Sequence, residues 1–407
     1  MTWFRRGLLA ALLLITAGLL AQGSNTQAAP VPVSWKHLSS REGDLPTPPG
    51  SDQQTLCLAT DVDHDGRTDI VIGCRTKAPA LVWYRNTGKG WKVYVIDDTA
   101  TPLEAGGAAY DIDGDGDLDI VAGNDYEGSQ LYWYENPYPH YDPRIPWKRH
   151  VIKTGGGRQL HDQLFGRFTD GGMDLVFWNQ GANALYLAPI PRNPKIEPWP
   201  YHKIYSGPGE GLAAGDVDGD GRPDIVIGGR WLKYDGKGGF DVFSVDASQT
   251  VSRVAVGDFN GDGKLDLVMS PGEGVGRLKW YEQRGNPERS DGWVAHDLLG
   301  FEVKHAHSLA VADFNGDGHP DIFCAEMGKW VEANAKPDNP DARIWIFYGD
   351  GKGHFTANVV STGIGTHEDR VADLNGDGRP DIVGKPYNQD TPRLDLWINR
   401  GPVRPGR

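Results

Sequence analysis

The sequence predicts an all-β protein, a seven-bladed β-propeller of four-stranded blades closed by its own N-terminal strand. Three observations lead there. An Asp-rich turn followed by a short apolar strand recurs seven times, starting at Asp61, Asp111, Arg167, Asp216, Asp258, Asp313 and Asp373. Periods of roughly this size belong to propellers or solenoids, and no long helical periodicity is present. The two ends of the chain also carry complementary fragments of one repeat.

The elements follow in order. Arg5 and Arg6 precede an apolar run from Leu8 to Leu20 and a small, polar stretch from Ala21 to Ala29. This is the order of a secretory signal, and the run is short for a membrane span. Residues 1–28 are therefore expected to be a removed leader, with cleavage after Gly23 or Ala28. Residues 29–407 are expected to form one secreted, extracellular or periplasmic propeller with no membrane span. Three cysteines, Cys57, Cys74 and Cys324, cannot make a complete disulfide framework. Cys57 and Cys74 flank one expected hairpin, close enough to bridge or to remain buried thiols.

Within the second repeat, strand A reads as Ala108 to Tyr110, strand B as Asp119 to Gly123, strand C as Leu131 to Glu135 and strand D as Trp147 to Ile152. Strand C recurs at Leu81, Leu278 and Leu394, and strand D after Trp91, Trp199, Phe240, Trp293 and Phe355. The seventh repeat stops at strand C near Asn399. Val33 to Leu38 has strand-D character and no repeat of its own. Completing blade seven with it closes the ring and removes both terminal faces.

The turns carry hard oxygen donors at alternate positions, with Gly after the third donor. Blades one, two and four use four aspartates each: Asp61, Asp63, Asp65, Asp69; Asp111, Asp113, Asp115, Asp119; Asp216, Asp218, Asp220, Asp224. Blades five to seven place Asn third: Asp258, Asn260, Asp262, Asp266; Asp313, Asn315, Asp317, Asp321; Asp373, Asn375, Asp377, Asp381. Such donors suit Ca²⁺, giving about six structural sites, with the ninth-position Asp closing each loop. Blade three lacks one residue and has Arg167 at the first position, so it is expected to be empty of metal, the guanidinium standing in for the cation. The formal charge is −14, or −16 without Arg5 and Arg6, which excludes generic phosphate attraction to nucleic acid. Six bound Ca²⁺ would bring it to about −4.

The Asp-x-[Asp/Asn]-x-Asp-Gly-x-x-Asp-[Ile/Leu] repeats resemble the FG-GAP/VCBS propeller repeats of integrin α-chain heads and many secreted bacterial proteins. The likeness covers nearly all of the mature chain. Phe-Gly and Gly-Ala-Pro elements are largely missing, so the bacterial branch is the nearer resemblance. The resemblance implies the fold and calcium, and a role among adhesion modules, lectins or polysaccharide lyases.

Because the aspartate turns join strands A and B, the D-to-A and B-to-C connections must share the opposite face. That face collects His161, Glu210, His307 and His367, with Asp162, Arg253, His305, Glu368 and Arg370 beside them. The B-to-C loops add Arg75, Tyr126, Trp178, Arg230, Trp231, Glu326, Lys385 and Tyr387, and blade six has the longest such loop, Cys324 to Arg343. Aromatic platforms beside cations suit an extracellular glycan or another cell-surface ligand. The ligand-binding candidates are Trp231, Tyr126, Trp178, Glu326, Lys385, Tyr387 and His305. Two readings compete: a calcium-dependent binding module, and a lyase acting by β-elimination on a uronic-acid polymer. In the second, Arg253 or Arg230 would hold the carboxylate, and His161, His307 or His367 would move protons. A purely structural scaffold is a third. No nucleophile elbow, zinc motif or phosphate loop is present.

Overall fold

The computed structural model describes residues 31–50, 53–331 and 336–403; the expected leader lies outside them. Seven antiparallel four-stranded sheets form a ring, each running A-B-C-D. Blade one is Gln54–Thr60, Asp69–Cys74, Leu81–Asn86 and Trp91–Asp97; blade two is Ala108–Tyr110, Asp119–Gly123, Leu131–Glu135 and Lys148–Lys153. Blade three is Gln163–Gly166, Asp174–Asn179, Ala184–Pro189 and His202–Ser206; blade four is Ala213–Gly215, Asp224–Ile227, Arg230–Tyr234 and Phe240–Ser244. Blade five is Arg253–Gly257, Asp266–Ser270, Val275–Gln283 and Trp293–Lys304; blade six is Ser308–Ala312, Asp321–Ala325, Arg343–Gly349 and Phe355–Thr362. Blade seven is Arg370–Ala372, Asp381–Gly384, Asp395–Pro402 and, from the other end of the chain, Val33–Ser39.

Strands B are apolar on both faces, as Asp69–Cys74 and Asp174–Asn179 show by being buried throughout. A strand covered on both sides has no reason to alternate. Strands D are the more exposed ones, and Phe355–Thr362 keeps several residues in solvent. The hydrophobic core is divided into seven slices, each between two consecutive blades. Trp83 and Ile120 belong to the slice between blades one and two, Trp133 and Phe177 to the next, and Phe323 and Trp397 to the slice between six and seven.

The seam between blades seven and one is an ordinary slice, with Ile70, Ile72 and Val82 against Leu374, Val383 and Leu396. Val33–Ser39 pairs antiparallel with Asp395–Pro402, setting His37 opposite Trp397 and Lys36 opposite Ile398. The ring is closed as the sequence ends imply. Four strand starts move: strand D begins at Lys148 in blade two and at His202 in blade three, and strand C begins at Val275 in blade five and at Asp395 in blade seven. Trp199 is instead a core side chain whose indole donates to Pro194 O at 2.8 Å. All three cysteines are buried thiols, and Cys57 faces Ile72 while Cys74 faces Gln54, so the pair is not bridged.

Asparagines at the ends of strands C fasten neighbouring blades, a role the sequence reading missed. Asn136 donates to Val62 O of blade one and to Leu118 O of its own blade, both at 3.0 Å. Asn86 reaches Leu374 O of blade seven at 2.8 Å, and Asn399 reaches Phe314 O of blade six at 2.8 Å.

Candidate functional site

In all seven turns the second residue is apolar and buried (Val62, Ile112, Phe168, Val217, Phe259, Phe314, Leu374), plugging the slice between blades. Outside blade three, that residue's backbone N–H donates to the ninth-position Asp, as in Val62 to Asp69 at 3.2 Å and Ile112 to Asp119 at 3.1 Å. The other oxygen of the same carboxylate accepts the N–H that ends strand C: Asn86 to Asp69 at 2.7 Å, Asn136 to Asp119 at 2.8 Å. The ninth Asp thus works as a backbone anchor first. The first Asp folds the turn by accepting from later N–H groups, Asp216 from Asp220 and Gly221, both at 2.9 Å.

The remaining carboxylates converge. Asp61, Asp63 and Asp69, then Asp111, Asp113 and Asp115, then Asp216, Asp218 and Asp224 form sets of oxygens within 4.8 Å of one another. Both oxygens of Asp63 and one of Asp113 are buried without a hydrogen bond, the condition that a bound cation would relieve. These residues fit Ca²⁺. Blade two adds a fifth acid, Asp117, pushed up to about 7 by burial and by Asp115, Asp113 and Asp111. In blade three Arg167 is exposed, and it is Arg222 from blade four that pairs with Asp170 at 2.6 Å.

The opposite face opens into a central pocket of about 410 Å³. D-to-A connections supply Glu104, Gln159, His161, Glu210 and His367, and B-to-C loops supply Arg75, Tyr126, Gln180, Glu273, Lys329 and Tyr387. Arg75 pairs with Glu104 at 2.5 Å and Asp125 at 2.9 Å, and its guanidinium lies 5.6 Å from the Tyr126 ring centre and 5.4 Å from that of Tyr387. Lys329 pairs with Glu273 at 2.6 Å. Sequence reasoning named Arg75, Tyr126 and Tyr387 but passed over Glu104, Gln159, Gln180, Glu273 and Lys329.

Beneath the pocket lies a buried ionic cluster. Arg253 reaches Asp162 at 2.8 Å, Glu368 at 3.1 Å and Glu210 at 3.5 Å. His161 Nδ1 lies 2.9 Å from Asp162, and His307 Nε2 lies 2.7 Å from Glu210. The rings of His161 and His307 are 5.8 Å apart and those of His307 and His367 stack at 4.5 Å. Burial opposes charge on His161 and His307, but the carboxylates beside them prevail and raise them to about 10 and about 9. Burial, His307 and Lys385 hold His367 well below the usual imidazole range. Burial resists ionisation of Glu210, yet His307 and His161 lower it to about 2. Asp162 and Glu368 adopt left-handed backbone, φ 43° and 56°, costing each on the order of 1–3 kcal/mol and tolerated only where the surroundings impose it.

Several expected ligand contacts lie elsewhere. Trp178 and Trp231 are fully buried core side chains, their indoles donating to Gly211 O (3.1 Å) and Pro287 O (3.0 Å). Glu326 is buried and accepts the backbone N–H of Lys304 and Arg343. Lys385 is sealed in, donating to the carbonyls of Gln54, Thr55 and His367. His305 pairs with Asp338 at 2.8 Å. Arg230 leans on the Tyr205 ring, outside the pocket lining. Arg253 is held by three carboxylates and lies outside the pocket lining.

The family model described as FG-GAP-like repeat matches residues 61–122, 169–227 and 258–324. Among solved structures, BBS1N in complex with ARL6DN is similar with a TM-score of 0.50 and 12% identity, over 91% of this chain and 97% of that one. The exotype rhamnogalacturonan lyase YesX gives 0.47 and 14%, over 88% and 75%. The V. cholerae biofilm matrix protein Bap1 gives 0.46 and 13%, over 92% of each. At these identities the likeness speaks of fold alone. The search of curated proteins found no match. Three segments that match the FG-GAP-like repeat thus lie on a ring of seven four-stranded blades, a seven-bladed β-propeller.

Proposed function

We propose that this protein is a secreted, calcium-binding propeller that takes a carbohydrate ligand in its central pocket. The observation that carries the reading is the pocket's lining: two tyrosines held by one guanidinium, beside the uncharged donors and acceptors of Gln159, Gln180 and Asn183. Aromatic faces next to fixed polar groups suit a polyhydroxylated ring. The pocket's cations, Arg75 and Lys329, already face carboxylates, which favours a neutral or amino sugar over a uronate. Calcium belongs to the other face. The convergent carboxylates, with Asp63 Oδ1 and Asp113 Oδ1 buried and without a hydrogen bond, support it there.

Glycan-array binding followed by calorimetry tests the reading. Tyr126 is 55% exposed, so Tyr126→Ala should leave the melt unchanged. It and Tyr387→Ala should each weaken binding about 2- to 10-fold, an aromatic contact being worth roughly 0.5–1.5 kcal/mol. Absence of any glycan ligand, or full affinity in both variants, would refute it.

The run of imidazoles keeps a second reading open, since His161 and His367 border the pocket and His307 touches both rings. Proton transfer on a bound sugar, as in β-elimination, needs such groups. Incubation with pectin, ulvan, alginate and glucuronate-rich gums should then yield unsaturated products absorbing in the ultraviolet.

A further inference from the structure

At the floor of the pocket, nitrogen and oxygen atoms of three side chains converge. His161 and Glu210 border the pocket and His307 lies fully buried behind them. One atom from each of these three residues lies within 4.8 Å of the others. His307 Nε2 is 2.7 Å from Glu210 Oε1 and Nδ1 is 3.3 Å from Glu368 Oε1. These atoms are buried and meet as close ion pairs that miss the directional geometry of a hydrogen bond. Donors so placed, with the proton removed, are spaced to share one cation instead.

We propose that His161, His307 and Glu210 are the ligands of a divalent transition-metal ion whose remaining positions open to the central pocket. Two imidazoles and one carboxylate suit zinc, iron or manganese, whereas calcium prefers oxygen alone. The surroundings are those of a metal centre. A carboxylate stands behind each histidine, Asp162 at Nδ1 of His161 (2.9 Å) and Glu368 at Nδ1 of His307, and both carboxylates are held by Arg253. Such partners turn the ring so that Nε2 faces the ion and make it a better donor. Asp162 and Glu368 are also the two residues of the cluster with left-handed backbone, so the chain spends conformational energy to place them.

Asp162, Glu210 and Glu368 face Arg253 within the cluster, with Arg370 at its edge, and a bound ion would take over the role of the protons that His161 and His307 otherwise hold. The alternative grouping of His307, His367 and Glu368 is disfavoured, because the Lys385 ammonium lies 3.5 Å from His367 Nδ1 and repels a cation. This site stands whether or not the pocket's ligand is a sugar.

The test uses the untagged chain saturated with Ca²⁺, so that the aspartate turns are occupied, and titrated with Co²⁺ as a visible probe. One equivalent should bind with the visible bands of nitrogen coordination, and Zn²⁺ should compete it away. Glu210→Gln and His307→Ala should each weaken Co²⁺ more than about 100-fold, beyond the 10- to 100-fold typical of supporting residues. Asp216→Asn, on the other face, should leave the bands intact. Absence of bands in the parent protein overturns the proposal, as does their survival in Glu210→Gln or their loss in Asp216→Asn. Should His307→Ala fail to fold, Glu210→Gln preserves shape and decides alone.

Discussion

Asp174 keeps the closing place in the shortened turn, the one that has lost its first and third acids. It is fully buried, and one oxygen accepts both the backbone N–H of Thr169 (3.0 Å) and its hydroxyl (2.9 Å). An aspartate retained where no metal is expected has another purpose, and here that purpose is to close the turn onto strand B. Asp174→Ala should cost about 1–3 kcal/mol, the usual penalty for stranding a buried donor. Urea melts should show the same loss in calcium and in chelator. A loss that vanishes in chelator would mean that Asp174 acts through an ion. The same logic shows what sequence misjudged at this scale. Trp178 and Trp231 sit at strand ends where a platform and a core residue read alike. The structure puts Trp178 behind the pocket wall, so close that a Cβ on Gly209 would fall 2.1 Å from its ring. The depth of a side chain depends on the neighbouring blade, which local pattern does not encode.

One whole aspartate turn is almost completely legible, because its donors are contiguous and the chain geometry of nine residues brings them together. What surrounds it is not. In the three turns with a third-position Asp, a cation reaches that residue: Arg85 to Asp63, Lys195 to Asp113 at 3.1 Å, Lys233 to Asp218. Where the third position is Asn, as in blades five to seven, the extra negative charge is already missing. Both solutions trim like-charge repulsion in the turn. Lys195 comes from blade three to serve blade two, a pairing that spacing alone could not reveal. The trimming is incomplete, since Asp63 and Asp113 still hold buried oxygens without hydrogen bonds. Calcium should therefore stabilise the folded chain by binding it and not the unfolded one. Differential scanning calorimetry should show the melting temperature falling in EGTA and recovering when calcium is restored in excess. An identical melt in both media would remove calcium from these turns.

Across the whole molecule, closure decides both stability and site. The seven D-to-A connections meet at one centre only because blade seven is completed by residues from the opposite end of the chain. This could be read from the sequence, since an orphan strand and an incomplete repeat are visible in one dimension. The buried His–carboxylate–Arg cluster could be read only as a shared face, because its distances depend on how blades three to seven tilt together. Removing residues 29–40 tests the closure directly. Val33, Trp35 and Leu38 leave the slices on both sides of blade seven, and the Val33 N–H to Tyr348 hydroxyl bond (3.0 Å) is lost. Val33 is buried and Trp35 and Leu38 partly so; at up to about 1.5–3 kcal/mol for a fully buried side chain, the loss is a substantial part of a typical domain's net stability, about 5–15 kcal/mol. The N–H and C=O groups of Asp395–Pro402 that now face Val33–Ser39 would form an open edge, which recruits other strands. The truncated chain should therefore elute as oligomers or aggregate on size-exclusion chromatography. A synthetic peptide spanning residues 31–41 should return part of it to monomer by filling the vacant edge. A truncated chain that stays monomeric with an unshifted melt would show that six complete blades and an open seventh hold the ring without the clasp.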